Sequence, residues 1–280
     1  MASEAGAEPP FISVVVTVKN EARHLHRLLD SLRVQEPPFE VVLVDALSRD
    51  GTWEIAGEFA RAEPERFRIF QRYGSRGIGR NTGAEKARGT HLAFTDGDCI
   101  ADSRWLAEIR KGFARSRIVA GRSVAIGSPH YVDLERVELY QQGNDVTFPS
   151  CNLGYEKALF QAIHGFDPRL ITAEDIDLNL RAVLTGASIL YVPEAQIYHH
   201  VRSNFVRFLY QAFWNGYGRK QLTEKHGSLW GNYRYSRLLH DQRTPIAWMR
   251  LAAAMTGYLA RVLTGYGERL TPTDPTRPGA

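Results

Sequence analysis

Two unbroken runs of β-branched and apolar residues, 11–18 and 41–44, flank a segment, 22–34, whose apolar positions recur at helical spacing. Strands that are apolar at every position are buried on both faces, so this is the pattern of a βαβ unit. Further apolar strands at 67–70 and 91–95, with helical segments at 53–62 and 80–87 between, continue an alternation that specifies a parallel sheet. The first hundred residues therefore read as an α/β nucleotide-binding half. Past Asp98 the alternation loosens. A helix is expected at 103–114, a strand at 118–126, helices near 133–142 and at 152–161, a helix at 178–184, and a last short strand at 189–192 closed by Pro193. From Ser203 to Gly265 aromatic-rich helical segments dominate. The expected organisation is a disordered lead at 1–10, one catalytic unit at 11–202 divided after residue 100, a helical region at 203–270 and a disordered tail at 271–280.

Composition narrows this picture. A chain of 280 residues suits one large α/β domain with a C-terminal appendage. At 44% apolar and 24% charged it matches neither a disordered chain nor a membrane bundle. Arg250 and Arg261 interrupt the most apolar C-terminal stretch, so no run is long enough to span a bilayer as a helix. The two cysteines, Cys99 and Cys151, are far apart and lack zinc-ligand spacing, which argues against a disulfide framework or zinc site and for a reducing, cytoplasmic setting. Residues 1–10 lack the basic and apolar pattern of a signal peptide. The net charge of +4 suits phosphate-bearing substrates, nucleic acid or an anionic membrane and does not choose among them.

Candidate chemistry falls at strand ends, where open parallel sheets bind ligands. Thr17, Lys19, Asn20 and Glu21 follow the first strand, Asp45 the second, and Asp96 and Asp98 the fourth. Helix capping explains any one of these clusters equally well. The stretch Asp96-Gly97-Asp98 carries more: two carboxylates flanking a glycine at the end of a buried strand repel each other unless a cation sits between them. A divalent ion with oxygen ligands, Mn²⁺ or Mg²⁺, fits, and a plain Asp-Gly turn is the competing reading. Glu174, Asp175 and Asp177 crowd the start of a helix, where they serve as dipole partners or supply a general base. His199 and His200 are adjacent on an extended segment, so they point to opposite sides and at most one enters the crevice.

Together these segments resemble glycosyltransferase family 2. The matching stretches, in order, are 13–21, 44–52, 79–83 with Gly89, 94–98, Cys151-Asn152, 165–167, 174–178 and 193–199. The resemblance implies a GT-A fold, α/β with a mixed, mainly parallel sheet, and an inverting, non-processive transfer from a UDP- or GDP-linked sugar. It implies that Thr17, Lys19, Glu21 and Asp45 hold the nucleoside side of the donor, Arg80 approaches the diphosphate, Asp96 contacts ribose or metal, and Asp98 with His199, or His200, ligates the metal. Asn152 and Asp167 would shape the sugar pocket. Asp175, beside Glu174, would be the base that deprotonates the acceptor hydroxyl. Ala46 replaces a second carboxylate that family members often carry, which leaves the nucleobase open, and the Gln-x-x-Arg-Trp signature of processive synthases is absent.

Two other readings compete, a nucleotidyltransferase and an inactive glycan-binding or scaffold protein on the same fold. Against them stand Val18-Lys-Asn-Glu21 where a glycine-rich phosphate loop belongs, and an intact set of carboxylates. The acceptor is expected to be a glycan hydroxyl or lipid-linked group, with no nucleic acid partner. The C-terminal stretch 246–263 suits either an amphipathic helix on the cytoplasmic membrane face or packing on the catalytic unit or a second subunit, with Trp248, Met249, Met255 and Tyr258 in a core.

Overall fold

A computed structural model describes residues 10–127, 137–200, 204–233 and 245–264. The expected lead at 1–9, the segment 133–136 and the tail from 265 lie outside the described residues. Strands β1 (Ile12–Val18), β2 (Phe39–Asp45), β3 (Phe67–Gln71) and β4 (His91–Asp96) form the parallel half, with α1 (Ala22–Arg33), α2 (Thr52–Ala62) and α3 (Arg76–Lys86) between them. The sheet adds β5 (Cys99–Ala101), β6 (Ile118–Ile126), β9 (Leu153–Glu156) and β10 (Ile189–His200), in the order β3-β2-β1-β4-β9-β6-β10-β5. It is mixed: β9 runs antiparallel to both β4 and β6, and β5 antiparallel to β10.

Helices cover both faces of the sheet. Val14, Val16 and Val18 of β1 pack with Leu25, Leu28, Phe59 and Trp105 from α1, α2 and α4 (Trp105–Phe113). Val15, pointing the other way, packs with Ala84, Phe160 and Leu178 from α3, α5 (Lys157–Ala162) and α6 (Glu174–Leu184). Gly83 lets α3 approach β1, since a Cβ there would lie 2.4 Å from Val15 Cγ1. At the amino-terminal edge of the sheet, Glu40 is fully buried but satisfied: it accepts from Ser13 Oγ at 2.8 Å, Arg68 Nη1 at 3.1 Å and Arg88 Nε at 2.8 Å.

Three expectations are corrected. The helix at 152–161 is instead a short 3₁₀ turn, strand β9 and then α5; Gly154, without a side chain, lets β9 pass Phe113 and complete the ladder from β4 to β6. Of the helix near 133–142, the described part includes a two-residue strand, β7 (Tyr140–Gln141), paired with β8 (Asn144–Asp145). The last strand does not stop before Pro193: the ladder between β10 and β6 breaks between Val192 and Gln196, absorbing a residue with no N–H to donate, and resumes to His200.

The C-terminal region forms two helices, α7 (Phe205–His226) and α8 (Pro245–Thr264). Contacts climb both helices in the same direction, from Phe213 and Gly216 against Gly257 and Ala254 to Glu224 and Tyr217 against Arg261, so the helices run parallel. They touch backbone to backbone: a Cβ on Gly216 would lie 1.7 Å from the Ala254 carbonyl oxygen. Of the four residues of the packing expectation, Trp248, Met249 and Met255 are exposed on the single chain and Tyr258 is half-buried, since the helices meet along this small-residue line.

Candidate active site

In-register pairing brings the carboxyl-edge residues together. Thr17 lies opposite Asp96, and Val18 opposite Asp45, so the ends of β1, β2 and β4 form one rim. The loops behind this rim are stitched to each other: the amide of Asn20 donates to Ser48 Oγ at 2.8 Å, Arg49 N donates to Asn20 Oδ1 at 2.9 Å, and Glu21 N donates to Thr52 Oγ1 at 2.8 Å. Asn20 takes a left-handed backbone, φ 55°, to make that turn. Lys19 is exposed on the rim. Asp45 is buried and accepts from the amide and hydroxyl of Ser48 and from Gln71 Nε2.

The extension of β10 sets the second wall. His199 pairs with Cys99 across the antiparallel ladder, which carries its Nε2 to 3.4 Å from Asp98 Oδ1. Burial acts to deprotonate this imidazole, but the hydrogen bond to Asp98 and the nearby Cys151 and Asp96 outweigh it and raise its pKa to about 9. Asp98, Cys99 and His199 are the one group of at least three metal-capable residues among the described residues, their ligand atoms all within 4.8 Å of one another. His200 leaves that group. Its ring lies 4.5 Å from that of His24, tilted by 36°, and its pKa is lowered, by burial first and Arg27 second.

Arg80 links two of the walls. It is 1% exposed, with Nη1 2.7 Å from Glu174 Oε1 and Nη2 2.7 Å from Asp96 Oδ1, and its plane lies against Phe166. A guanidinium with both ends on carboxylates is a strut between them, and its Nε is buried without a hydrogen-bond partner. Burial pushes Asp96 up, but Arg80 and then Arg76 more than compensate and hold it below the usual carboxylate range. Arg76 itself is exposed, at the start of α3. Asn152 and Asp167 are likewise held by protein partners. Asn152 is fully buried, accepting from Trp105 Nε1 at 2.8 Å and donating to the carbonyls of Arg122 and Ala195. Asp167 accepts from Arg169 and from Lys225 Nζ at 2.7 Å.

The third wall is the start of α6, where Ala173 adopts a left-handed φ of 60°. Asp175 Oδ1 accepts from Ile176 N at 2.8 Å, while Oδ2 has only a long contact, 3.4 Å, from Ser150 N. Burial and the neighbouring Glu174 charge raise its pKa to about 6. Two residues on, Asp177 is pushed up by burial but pulled down to about 2 by His226, Arg181 and Lys225. Lys225 Nζ and His226 Nε2 both lie 2.7 Å from Asp177 Oδ1, and both come from the last turn of α7. The pairing of α7 with this loop had no sequence signal. The contact between Cys99 and Cys151 at the metal-capable group also had none beyond the adjacency of Cys99 to Asp98.

Known proteins share this architecture. A family model described as Glycosyl transferase family 2 matches residues 13–163, more than half of the chain. The glycosyltransferase AglE of Haloferax volcanii is 28% identical over 229 residues, 76% of this chain and 74% of that protein. The pre-mycofactocin glycosyltransferase of Mycobacterium tuberculosis is 25% identical over 240 residues, 77% of this chain and 48% of its own length. Among solved structures, the mannosyltransferase PcManGT of Pyrobaculum calidifontis, in complex with GDP-Man and Mn²⁺, superposes with a TM-score of 0.63 at 18% identity over 92% of this chain and 76% of that one. S. aureus TarS 1–349 with UDP-GlcNAc gives a TM-score of 0.56 at 17% identity, covering 91% and 92%. At these identities the solved structures speak for the fold alone, and that fold is GT-A.

Proposed function

Because the chain belongs to glycosyl transferase family 2, and is a glycosyltransferase, we propose that it moves one sugar from a UDP- or GDP-linked donor to an acceptor hydroxyl or lipid phosphate with inversion. The observation that carries this reading is the Arg80 strut, which joins Asp96 on the donor rim to Glu174 beside Asp175. It holds a prospective base and a prospective diphosphate site in one rigid frame. The two relatives whose solved structures hold nucleotide sugars, GDP-Man in one and UDP-GlcNAc in the other, support a donor of this class.

Asp175 acts as the base through Oδ2, the oxygen with free lone pairs. Its carboxylate is ionised above pH 6 and takes the acceptor proton as the acceptor oxygen attacks the anomeric carbon directly. Glu174 is held off the chemistry by Arg80 and supplies the negative charge that makes Asp175 basic. Thr17, Lys19 and Glu21, on the stitched rim, face the nucleoside. Arg76, exposed one turn before Arg80 on α3, is a second cation that meets the diphosphate. Asp98 and His199 fit Mn²⁺ or Mg²⁺, because one carboxylate oxygen and one imidazole nitrogen sit 3.4 Å apart beside a rim that receives phosphate. Such an ion supplies electrostatic stabilisation of the departing nucleoside diphosphate.

The acceptor reading follows the C-terminal helices. Phe205, Val206 and Tyr210 at the start of α7 and Trp248 and Met249 at the start of the parallel α8 are exposed, and α7 begins just after the strand that carries His199. No described helix is long and apolar enough to cross a membrane. These side chains would lie against a lipid surface bearing the acceptor. Flotation with liposomes tests this: binding of the wild type that is lost in Trp248→Glu with Val206→Glu supports it, and a wild-type protein that fails to float, or a dimer that these changes dissociate, refutes it. For the reaction itself, a panel of nucleotide sugars is tested for divalent-dependent transfer, with UDP and GDP release measured separately. Wild-type turnover that persists in chelator would refute the metal role.

A further inference from the structure

We propose that Cys99 makes the Asp98–His199 site a sulfur-containing one, which takes thiophilic divalent cations such as Zn²⁺ or Cd²⁺ through its thiolate. The proposal rests on the metal reading of this site and goes beyond it, because Mn²⁺ and Mg²⁺ need only the oxygen and nitrogen ligands. A tetrahedral ion at ordinary zinc bond lengths sets its oxygen and nitrogen ligands about 3.3 Å apart and its sulfur and oxygen ligands about 3.5 Å apart. Here His199 Nε2 and Asp98 Oδ1 are 3.4 Å apart, and Cys99 Sγ and Asp98 Oδ1 are 3.9 Å apart. Two edges of a tetrahedral face are thus close to these lengths, and all three ligand atoms lie within 4.8 Å of one another.

The fold fixes this arrangement. Cys99 opens β5 directly after Asp98, and its ladder partner on β10 is His199, so the thiol and the imidazole fall on the same side of the sheet. Cys99 is completely buried, while Asp98 and His199 are partly open, which leaves the remaining coordination position on the solvent side. On binding, the Cys99 S–H bond breaks, its proton passes to solvent, and sulfur replaces one water on the cation. A thiophilic ion thereby occupies the position that Mn²⁺ or Mg²⁺ would take and competes with it.

Cd²⁺ titrated into the metal-free protein reads the inference through the ultraviolet charge-transfer band of thiolate bound to cadmium. The chain has two cysteines, so in Cys151→Ser any such band must come from Cys99. The band is expected in wild type and in Cys151→Ser, and its absence from Cys151→Ser overturns the proposal. In Cys99→Ser the band is expected to vanish and Cd²⁺ affinity to fall at least tenfold, the range that even supporting groups of a metal site contribute. Unchanged Cd²⁺ affinity in that variant also overturns it. Mn²⁺ binding to wild type, followed by electron paramagnetic resonance, separates the two claims: Mn²⁺ binding without a Cd²⁺ band defeats the sulfur ligand alone, and a Cd²⁺ band without Mn²⁺ binding defeats the proposed cofactor alone.

Discussion

Asp175 and Asp177 occupy the same first turn of α6 and both lie in low-dielectric surroundings, yet they are opposite in kind. Asp177 faces the end of α7, where Lys225, His226 and Arg181 surround it, and its pKa falls to about 2. Asp175 faces the crevice beside Glu174, with no directly bonded cation among the described residues, and its pKa rises to about 6. The difference teaches that burial alone does not decide what a carboxylate does; the placement of cations does. The same contrast holds across the sheet, where Glu40 at the amino-terminal edge is saturated by Arg68 and Arg88 and serves the fold.

The largest effect is expected at Asp177. Replacing it with Ala leaves buried Lys225 to Asp167 alone and takes the ion-pair partner from Arg181 and His226; since Asp167 still compensates the lysine, the cost lies at the lower end of the range for breaking a buried pair, about 3 kcal/mol. Chemical denaturation should show a loss of that order for Asp177→Ala and none for Asp175→Ala. A protein indifferent to Asp177→Ala would mean that the contact of α7 with α6 is dispensable.

A smaller effect separates the two carboxylates through Arg80. Its charge lowers the Asp175 pKa, so Arg80→Gln should move the acidic limb of the kcat/KM profile above pH 6. Activity then falls most near pH 6 and recovers in part at pH 8. An unmoved limb would detach Asp175 from the strut.

The smallest effect is on stability and needs no substrate. The folded-state pKa of Asp175 lies above its ordinary value of 3.8, so the native state binds more protons than the unfolded chain between about pH 4 and pH 6. Wild type should lose stability as pH rises through that window, whereas Asp175→Asn should not. Thermal unfolding is expected to show Asp175→Asn several degrees more stable at pH 7.5 and equal to wild type at pH 4. Equal melting temperatures at both pH values would contradict the raised pKa.

The parallel half of the fold was legible because strands buried on both faces must be apolar throughout, as β1 and β2 are. Strand β9 was not, since four residues containing Gly154 carry no period and take their conformation from β4 and β6. Pro193 hid the extension of β10, and with it the approach of His199 to Asp98. The strand-end positions of Asp96 and Asp98 could be read from pattern. What Arg80, Asn152 and Asp167 bond to could not, because their partners lie far away in the chain: Glu174 is 94 residues from Arg80 and Lys225 is 58 from Asp167. Motif membership marked these residues as important without distinguishing a ligand from a strut.

The central claim is that Asp175 serves the chemistry and not the donor. Its most direct test is Asp175→Asn in the presence of Mn²⁺, with donor affinity measured by calorimetry and turnover by release of the nucleoside diphosphate. The donor Kd should stay unchanged and kcat should fall by about 10²- to 10⁴-fold, the range for loss of a general base. A collapsed donor affinity with turnover near that of wild type would contradict the claim and make Asp175 a donor ligand.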